Sequence, residues 1–426
     1  MSKTKKILLI ILFILVVIIF SILLYKIFFQ KEEIPAIVEP EQTTSSGLPV
    51  ISEGEIGSIE STGQIVVSGD KLDAQNILVA EEEIDEIAKG SFTNSEKVVS
   101  QKVKASDYSN VNDGLVYYDA NNQSFYKVNG DGSISKISDN KFYSVVDVVW
   151  SPTKNQALIE YPEDEGVAYN KILYDFDQDR ALTSFNKEMK NFNFSNDGEK
   201  ISAKWIGDYK DYNYIVSSDI NGNNFKFVEP LGDESKNVQT IWSPDSEVLA
   251  TYRESIDGER QEIFFINENG KNLKSLVVDG RGFEVEWSPR GDKILYSVFN
   301  KKTDYKPTLW IANGQGDGLG GGKRYVGLNT WVDKCDFSQS QENIVYCAVP
   351  DYLPQGSSWY PELADNVPYQ IYKINVSNGQ KEKVADPVFD GARVSIDHIY
   401  LDQNDQKLYY TNQADDNLYS IDLEKQ

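Results

Sequence analysis

Seven times along the chain an aromatic or apolar residue closes a short apolar run, a polar turn follows, and an aliphatic residue sits seven positions on. The clearest copies are Trp242-Ser243-Pro244-Asp245 with Leu249 and Trp287-Ser288-Pro289 with Ile294. The others are Tyr108 with Leu115, Trp150-Ser151-Pro152 with Ala157, Phe194-Ser195-Asn196-Asp197-Gly198 with Ile201, Phe337-Ser338 with Ile344, and Leu401 with Leu408. Anchors fall roughly 42 to 50 residues apart, with a last gap of about 64, which is the period of a β-propeller blade. Proline presets φ and Asp or Gly tolerates the turn's backbone angles, so each copy predicts a tight hairpin between the first two strands of a blade. The large ring before each turn then belongs between neighbouring blades. A simple antiparallel meander with chance Ser-Pro turns is the competing reading, and seven copies in register argue against it.

A second hairpin follows each of the first six anchors, with Gly, Asn and Asp in its turn. Examples are Asn129-Gly130-Asp131-Gly132, Asn267-Glu268-Asn269-Gly270 and Ser377-Asn378-Gly379, flanked by apolar strands such as Ile263-Phe264-Phe265-Ile266. Four strands per unit is what a propeller blade needs. After Leu401 only two more strands remain, Lys407 to Asn412 and Asn417 to Leu423, while Glu96 to Lys104 reads as a strand with no blade of its own. Pairing the two would complete the last sheet and remove exposed edges. The expected fold is all-β, a seven-bladed β-propeller over 94–426, with six or eight blades as the neighbouring counts.

The N-terminal pattern is different. Ile7 to Leu24 is apolar except for Ser21, and Tyr25 to Phe29 extends it. That length predicts a single transmembrane helix over 7–29. The run is long for a signal peptide and no small-x-small cleavage site follows it. Lys3, Lys5 and Lys6 in 1–6 put that end in the cytoplasm by the positive-inside rule, and the propeller outside. Between Glu32 and Gly90 fourteen acids face only Lys71 and Lys89, so 30–93 reads as an extended acidic linker, with Ile77 to Lys89 as a short acidic helix within it.

Charge and composition narrow the chemistry. A net charge of -24 repels nucleic acid and anionic lipid head groups. No cofactor is expected, with calcium the one ion considered. Alternating Asp175, Asp177 and Asp179 suit a hard cation, yet Arg180 and Ala181 stand where a calcium loop needs more, and the same position in other blades is an ordinary turn. The single histidine, His398, falls on an inner strand and reads as structural, and no Gly-x-Ser-x-Gly elbow is present. Acids are plentiful enough for a carboxylate pair in the channel. Cys335 and Cys347 lie on two strands of one hairpin and face each other if Phe337 faces Val345; such a pair oxidises outside the cytoplasm or stays as two buried thiols.

One copy of the repeat is interrupted. Between Val349 and Ile371 a short hairpin gives way to a Pro-stiffened segment carrying Tyr352, Trp359, Tyr360 and Tyr369. Exposed aromatics on a stiff loop supply stacking area for sugars or peptides at low entropic cost. The other reading is a plug folded over its own blade.

With these motifs in place, residues 96–426 resemble the TolB-like propeller repeats, WD-like in their blade pattern and also found as the N-terminal propeller of prolyl oligopeptidase and dipeptidyl peptidase IV type enzymes. The resemblance rests on Trp150-Ser151-Pro152, Phe194-Ser195-Asn196-Asp197-Gly198, Trp242-Ser243-Pro244-Asp245 and Trp287-Ser288-Pro289. It implies an extracytoplasmic binding platform. No hydrolase domain follows the propeller as in the peptidases, and an anchor and linker stand where TolB has an α/β domain. The expected function is non-enzymatic binding of an envelope protein, a peptide or a glycan, with no nucleic-acid partner. A glycan- or peptide-active hydrolase using channel carboxylates, and a structural envelope component, are the alternatives.

Overall fold

The computed structural model describes residues 79–80, 83–109, 112–162, 169–271 and 273–423, all within the unit Lys71–Gln426. The expected membrane helix over 7–29, the segment 1–6 and most of the linker lie outside the described residues. Among the described residues no helix is long and apolar enough to cross a membrane.

Seven antiparallel sheets succeed one another along the described chain. Blade 1 is built from Val103–Ser109, Gly114–Asp119, Ser124–Asn129 and Ile134–Lys136. Blades 2 to 5 repeat that order over 147–184, 189–230, 238–278 and 281–325. Blade 6 comprises Cys335–Phe337, Ile344–Pro350, Tyr369–Asn375 and Lys381–Phe389, and blade 7 comprises Ile396–Leu401, Lys407–Asn412 and Leu418–Leu423. Five of the seven expected anchors pair as the repeat requires: Tyr108 with Leu115, Trp150 with Ala157, Phe194 with Ile201, Trp287 with Ile294 and Leu401 with Leu408; in blade 4 the first strand ends at Thr240, opposite Ala250, so Trp242 stands beyond the ladder. In blade 6 the register moves by one, so that Phe337 faces Val345.

Glu96–Val99 pairs antiparallel with Leu418–Leu423 and supplies the fourth strand of blade 7. The expected strand Glu96 to Lys104 is therefore two strands, split at the break before Val103, where blade 1 begins. The sheets also extend upstream of residue 94. Phe92–Asn94 runs parallel to Asp386–Val388 in blade 6, and Ile87–Ala88 runs parallel to Asp422–Leu423 in blade 7. Ile87–Ala88 is thus extended, where a short helix ending at Lys89 was expected. Strands of two or three residues carry too little apolar alternation to stand out in an acidic stretch.

Apolar residues collect between the sheets. Seven buried clusters each join residues of two adjacent blades, including one that joins blade 7 to blade 1 through Tyr409, Leu418, Val99 and Tyr117. Seven sheets with seven such interfaces form a closed ring. The anchor rings fill these interfaces: Trp150 packs edge-on to Phe125 of blade 1, and Trp287 to Phe265 of blade 4.

Candidate functional site

The innermost strands line the ring axis, and four of them are irregular. In blades 1, 3, 5 and 7 the register shifts so that two residues stand opposite one: Ala105 and Ser106, Asn191 and Phe192, Gly282 and Phe283, Asp397 and His398. A bulge puts neighbouring side chains on the same side of a strand, where regular pleating would separate them. Asp397 and His398 both reach the channel for this reason, and His398 Nδ1 lies 2.9 Å from Asp397 Oδ2. His398 was expected to be a satisfied core residue. It lies on the expected inner strand, but its side chain is 44% exposed and faces the channel.

The channel holds about 830 Å³ on one side and about 730 Å³ on the other, and Asp107, Lys154, Glu286 and Asp336 line both parts. Lys154 Nζ meets Asp107 Oδ2 at 2.6 Å. Asp336 accepts the Leu401 N–H at 2.7 Å, yet desolvation outweighs that bond and Asp107 and Asp405 add to it, so its carboxyl is pushed up to about 7. Enclosure drives Glu286 well above the usual carboxylate range, reinforced by Asp336, Asp107 and Asp333. Desolvation also acts on Asp397 and His398, but their mutual hydrogen bond and charges prevail, leaving Asp397 lowered and His398 raised.

At the mouth on the side of the blade 6 loop, a short 3₁₀ turn at Val332–Lys334 precedes the inner strand of that blade. Lys334 is buried, and its ammonium donates to the Ile396 and Asp397 carbonyls at 3.1 and 2.9 Å. It also lies over the Trp331 and Tyr369 rings at 5.8 and 5.4 Å. This tie crosses from blade 6 to the bulge of blade 7.

The loop between Pro350 and Tyr369 does not lie on its own blade alone. Gly356 N–H donates to Asp304 O at 2.9 Å and Ser358 N–H to Tyr305 O at 3.0 Å, both in the second turn of blade 5. Trp359 packs edge-on to Phe299 with centroids 4.8 Å apart. At the loop's base Arg393 pairs with Asp351, and Gln370 donates to Asp351 at 2.9 Å. Leu353, Ala364 and Val367 are buried beneath. Tyr352, Trp359 and Tyr360 remain 54%, 49% and 60% exposed. Tyr369 departs from expectation: it begins the third strand of blade 6 and is fully buried, because the chain re-enters the sheet directly after Pro368.

The remaining sequence candidates resolve simply. Asp175, Asp177 and Asp179 do not converge: Asp175 accepts from Gln156 and Gln178, Asp177 from Asn155, and Asp179 from Tyr174. Among the described residues no group of His, Cys, Asp and Glu is arranged to hold a metal. Cys335 and Cys347 face each other across the first hairpin of blade 6 and are joined as a disulfide. An aromatic surface on blade 3 was not singled out from sequence. Tyr209, Tyr212 and Phe227 are 69%, 61% and 55% exposed around a hollow of about 730 Å³ that includes Trp205 and Tyr214. Its signal was present, since these rings fall within a short stretch of chain, but no repeat position marked them.

The comparisons with known proteins fit this architecture. No family model and no curated protein matches the sequence. Among solved structures, the chain is similar to the Cps50 (Swd1) β-propeller domain of Myceliophteria thermophila, with a TM-score of 0.50 and 11% identity over 78% of this chain and 100% of that one. It is also similar to Kuenenia stuttgartiensis hydrazine synthase, at TM-score 0.49 and 11% identity over 75% and 95% of the two chains. A third is the β-propeller domain of the trilobed protease from Pyrococcus furiosus, at 0.42 and 14% over 63% and 78%. The fold is a β-propeller. These likenesses do not single out the TolB-like repeats.

Proposed function

We propose that this chain is a membrane-anchored, extracytoplasmic β-propeller of the TolB-like kind that serves as a non-enzymatic binding platform for an envelope protein, a peptide or a glycan. The observation that carries the proposal is the blade 6 loop. It is anchored at Asp351 and against blade 5, and it holds Tyr352, Trp359 and Tyr360 half-exposed. Rings already fixed lose little entropy when a partner covers them. The disulfide between Cys335 and Cys347 supports an oxidising compartment, and the apolar run Ile7 to Leu24 supports the anchor.

One observation favours a second reading, a hydrolase. Asp336 is pushed up to about 7 and Glu286 well above the usual carboxylate range, as a general acid would be. Each carboxylate group, however, has a cation within it: Lys154 on Asp107 in the channel, and Lys334 and His398 at the mouth. Such pairing suits a structural ionic layer better than a reactive pair. The test is binding of the full chain to envelope glycans and peptides, with turnover followed in parallel. The binding reading expects affinity to fall at least about tenfold in the Trp359→Ala, Tyr360→Ala double variant, with no turnover by either protein. Turnover abolished by Asp336→Asn would establish the hydrolase instead.

A further inference from the structure

A cavity of about 320 Å³ lies between the blade 6 loop and blades 5 and 7, and shares Asp333 and Asp397 with the channel lining. Its polar groups are unbalanced. Tyr369, at 0% exposure, carries a hydroxyl with no hydrogen-bond partner, and Ser358 Oγ and Gln413 Oε1, on two more residues lining the cavity, are unpartnered as well. They come from three separate segments: the loop, the strand that follows it and the second turn of blade 7. Buried polar atoms without partners are costly, and three of them belong to residues that line this one cavity.

Charge selects the guest. Glu284, Asp333, Asp365 and Asp397 line the cavity with one lining cation, Lys334, whose ammonium is already engaged by the Ile396 and Asp397 carbonyls; Asp397 is further paired with His398, which leaves Glu284, Asp333 and Asp365 in excess. What remains is rich in acceptors: carboxylate oxygens and Gln413 Oε1, with two hydroxyls that accept as well as donate. An anion is repelled, and a neutral polyol leaves the acidic charge unmatched. Trp331 and Tyr369 already flank one ammonium, so the walls suit cations. Desolvation pushes Glu284 and Asp365 above the usual carboxylate range, and the nearby cations Arg253 and Lys334 offset it only in part. The volume equals that of roughly ten waters, enough for the end of a lysine or arginine side chain.

We infer that this cavity binds a primary ammonium or guanidinium group, carried by a free amine or by a basic side chain of a peptide. The inference goes beyond the platform reading and does not depend on it, since the exposed rings of the loop take no part.

Calorimetry on the full chain tests it, with Nα-acetyl-lysine amide, Nα-acetyl-arginine amide and cadaverine as probes and Nα-acetyl-norleucine amide and glucose as uncharged controls. Saturable binding of a charged probe, absent for both controls and weakened at least about tenfold in Asp365→Asn and in Tyr369→Phe, is the expected result. Binding of the amino-acid amides alone supports the inference with a peptide as the source, and binding of cadaverine supports it with free amines. Tyr369→Phe removes only an unpartnered hydroxyl, so its unfolding temperature is expected to hold or rise, which separates lost binding from lost folding. Absence of saturable binding by every charged probe, equal binding of either control, or charged-probe binding unchanged in both variants overturns it.

Discussion

A single hydroxyl closes each of the clearest turns of the repeat. Ser243 Oγ accepts the Val248 N–H at 3.0 Å, and Ser195 and Ser288 accept from Lys200 and Lys293 at 2.9 and 3.1 Å. All three serines are buried, and Val248 is buried with Ser243, so its N–H cannot turn to water. Ser243→Ala strands the Val248 N–H and is expected to cost about 1–3 kcal/mol in thermal or denaturant unfolding, whereas Ser133→Ala, on an exposed turn, should change little. The charged residues of the channel make a different prediction. Asp336 titrates near 7 in the fold and near 3.8 in the unfolded chain, so the folded state binds its proton more tightly. Its contribution is full below the unfolded value and is lost as pH rises through about 7. Asp336→Asn should therefore flatten the pH profile of stability between about 4 and 8, by on the order of 4 kcal/mol relative to the parent chain. Lys154→Met should move the parent transition to higher pH, because Lys154 is the cation that holds Asp336 down. His398 has the same sign, its stabilisation fading as pH rises past its own raised value, so the difference between profiles is the quantity to read.

At the scale of strands and loops, the bulges decide what the channel sees. Gly282 stands at φ +64 in the blade 5 bulge, and a Cβ there would collide with the Phe299 ring, which in turn carries Trp359. Gly282→Ala is expected to destabilise by roughly 1–3 kcal/mol and to shift tryptophan emission as Trp359 is displaced. Unchanged emission with unchanged stability would mean that loop and bulge are not coupled. These elements also show where sequence reading stops. The hairpins were legible because their chemistry is local: Trp-Ser-Pro-Asp fixes a turn within a few residues, and the apolar runs between turns mark the strands. The bulges were not, since Asp397 and His398 look like any alternating pair until Thr411 is seen to oppose both. Tyr369 was grouped with the exposed rings of its loop because nothing beside it marks the point where the chain re-enters the sheet. The buried Lys334, bonded to carbonyls of another blade, is a contact across sixty-odd residues of sequence that no local pattern encodes.

At the scale of the whole molecule, one short strand bears on how the ring closes. An open array of blades makes only nearest-neighbour contacts and frays from its ends, while a closed ring has no ends to fray. Glu96–Val99 reinforces that closure here, because it pairs with Leu418 to Ser420 and places Val99, 1% exposed, between blades 7 and 1. Lys97 adds a contact with Asp415 at 3.4 Å and lies over the Phe389 and Tyr419 rings. Burial of Val99 and its neighbours, with the ladder hydrogen bonds, amounts to on the order of 5 kcal/mol, comparable to the net stability of a typical domain. A chain beginning at Gln101 should accordingly lose cooperative unfolding and aggregate through the uncovered edge of Leu418–Leu423. One beginning at Ser95 keeps the closing strand and loses only the parallel additions Ile87–Ala88 and Phe92–Asn94, so it should unfold in one transition at a modestly lower temperature. Hydrogen exchange locates the effect. In the full chain, amides of blades 7 and 1 should be as protected as those of blade 4, and in the Gln101 chain they should exchange first while blade 4 stays protected. Equal loss of protection in all blades would mean that stability is shared around the ring rather than held at its junction, and protection unchanged by the truncation would mean that the strand decorates a ring already closed by the contacts of Tyr409 and Leu418 with Tyr108, Leu115 and Tyr117.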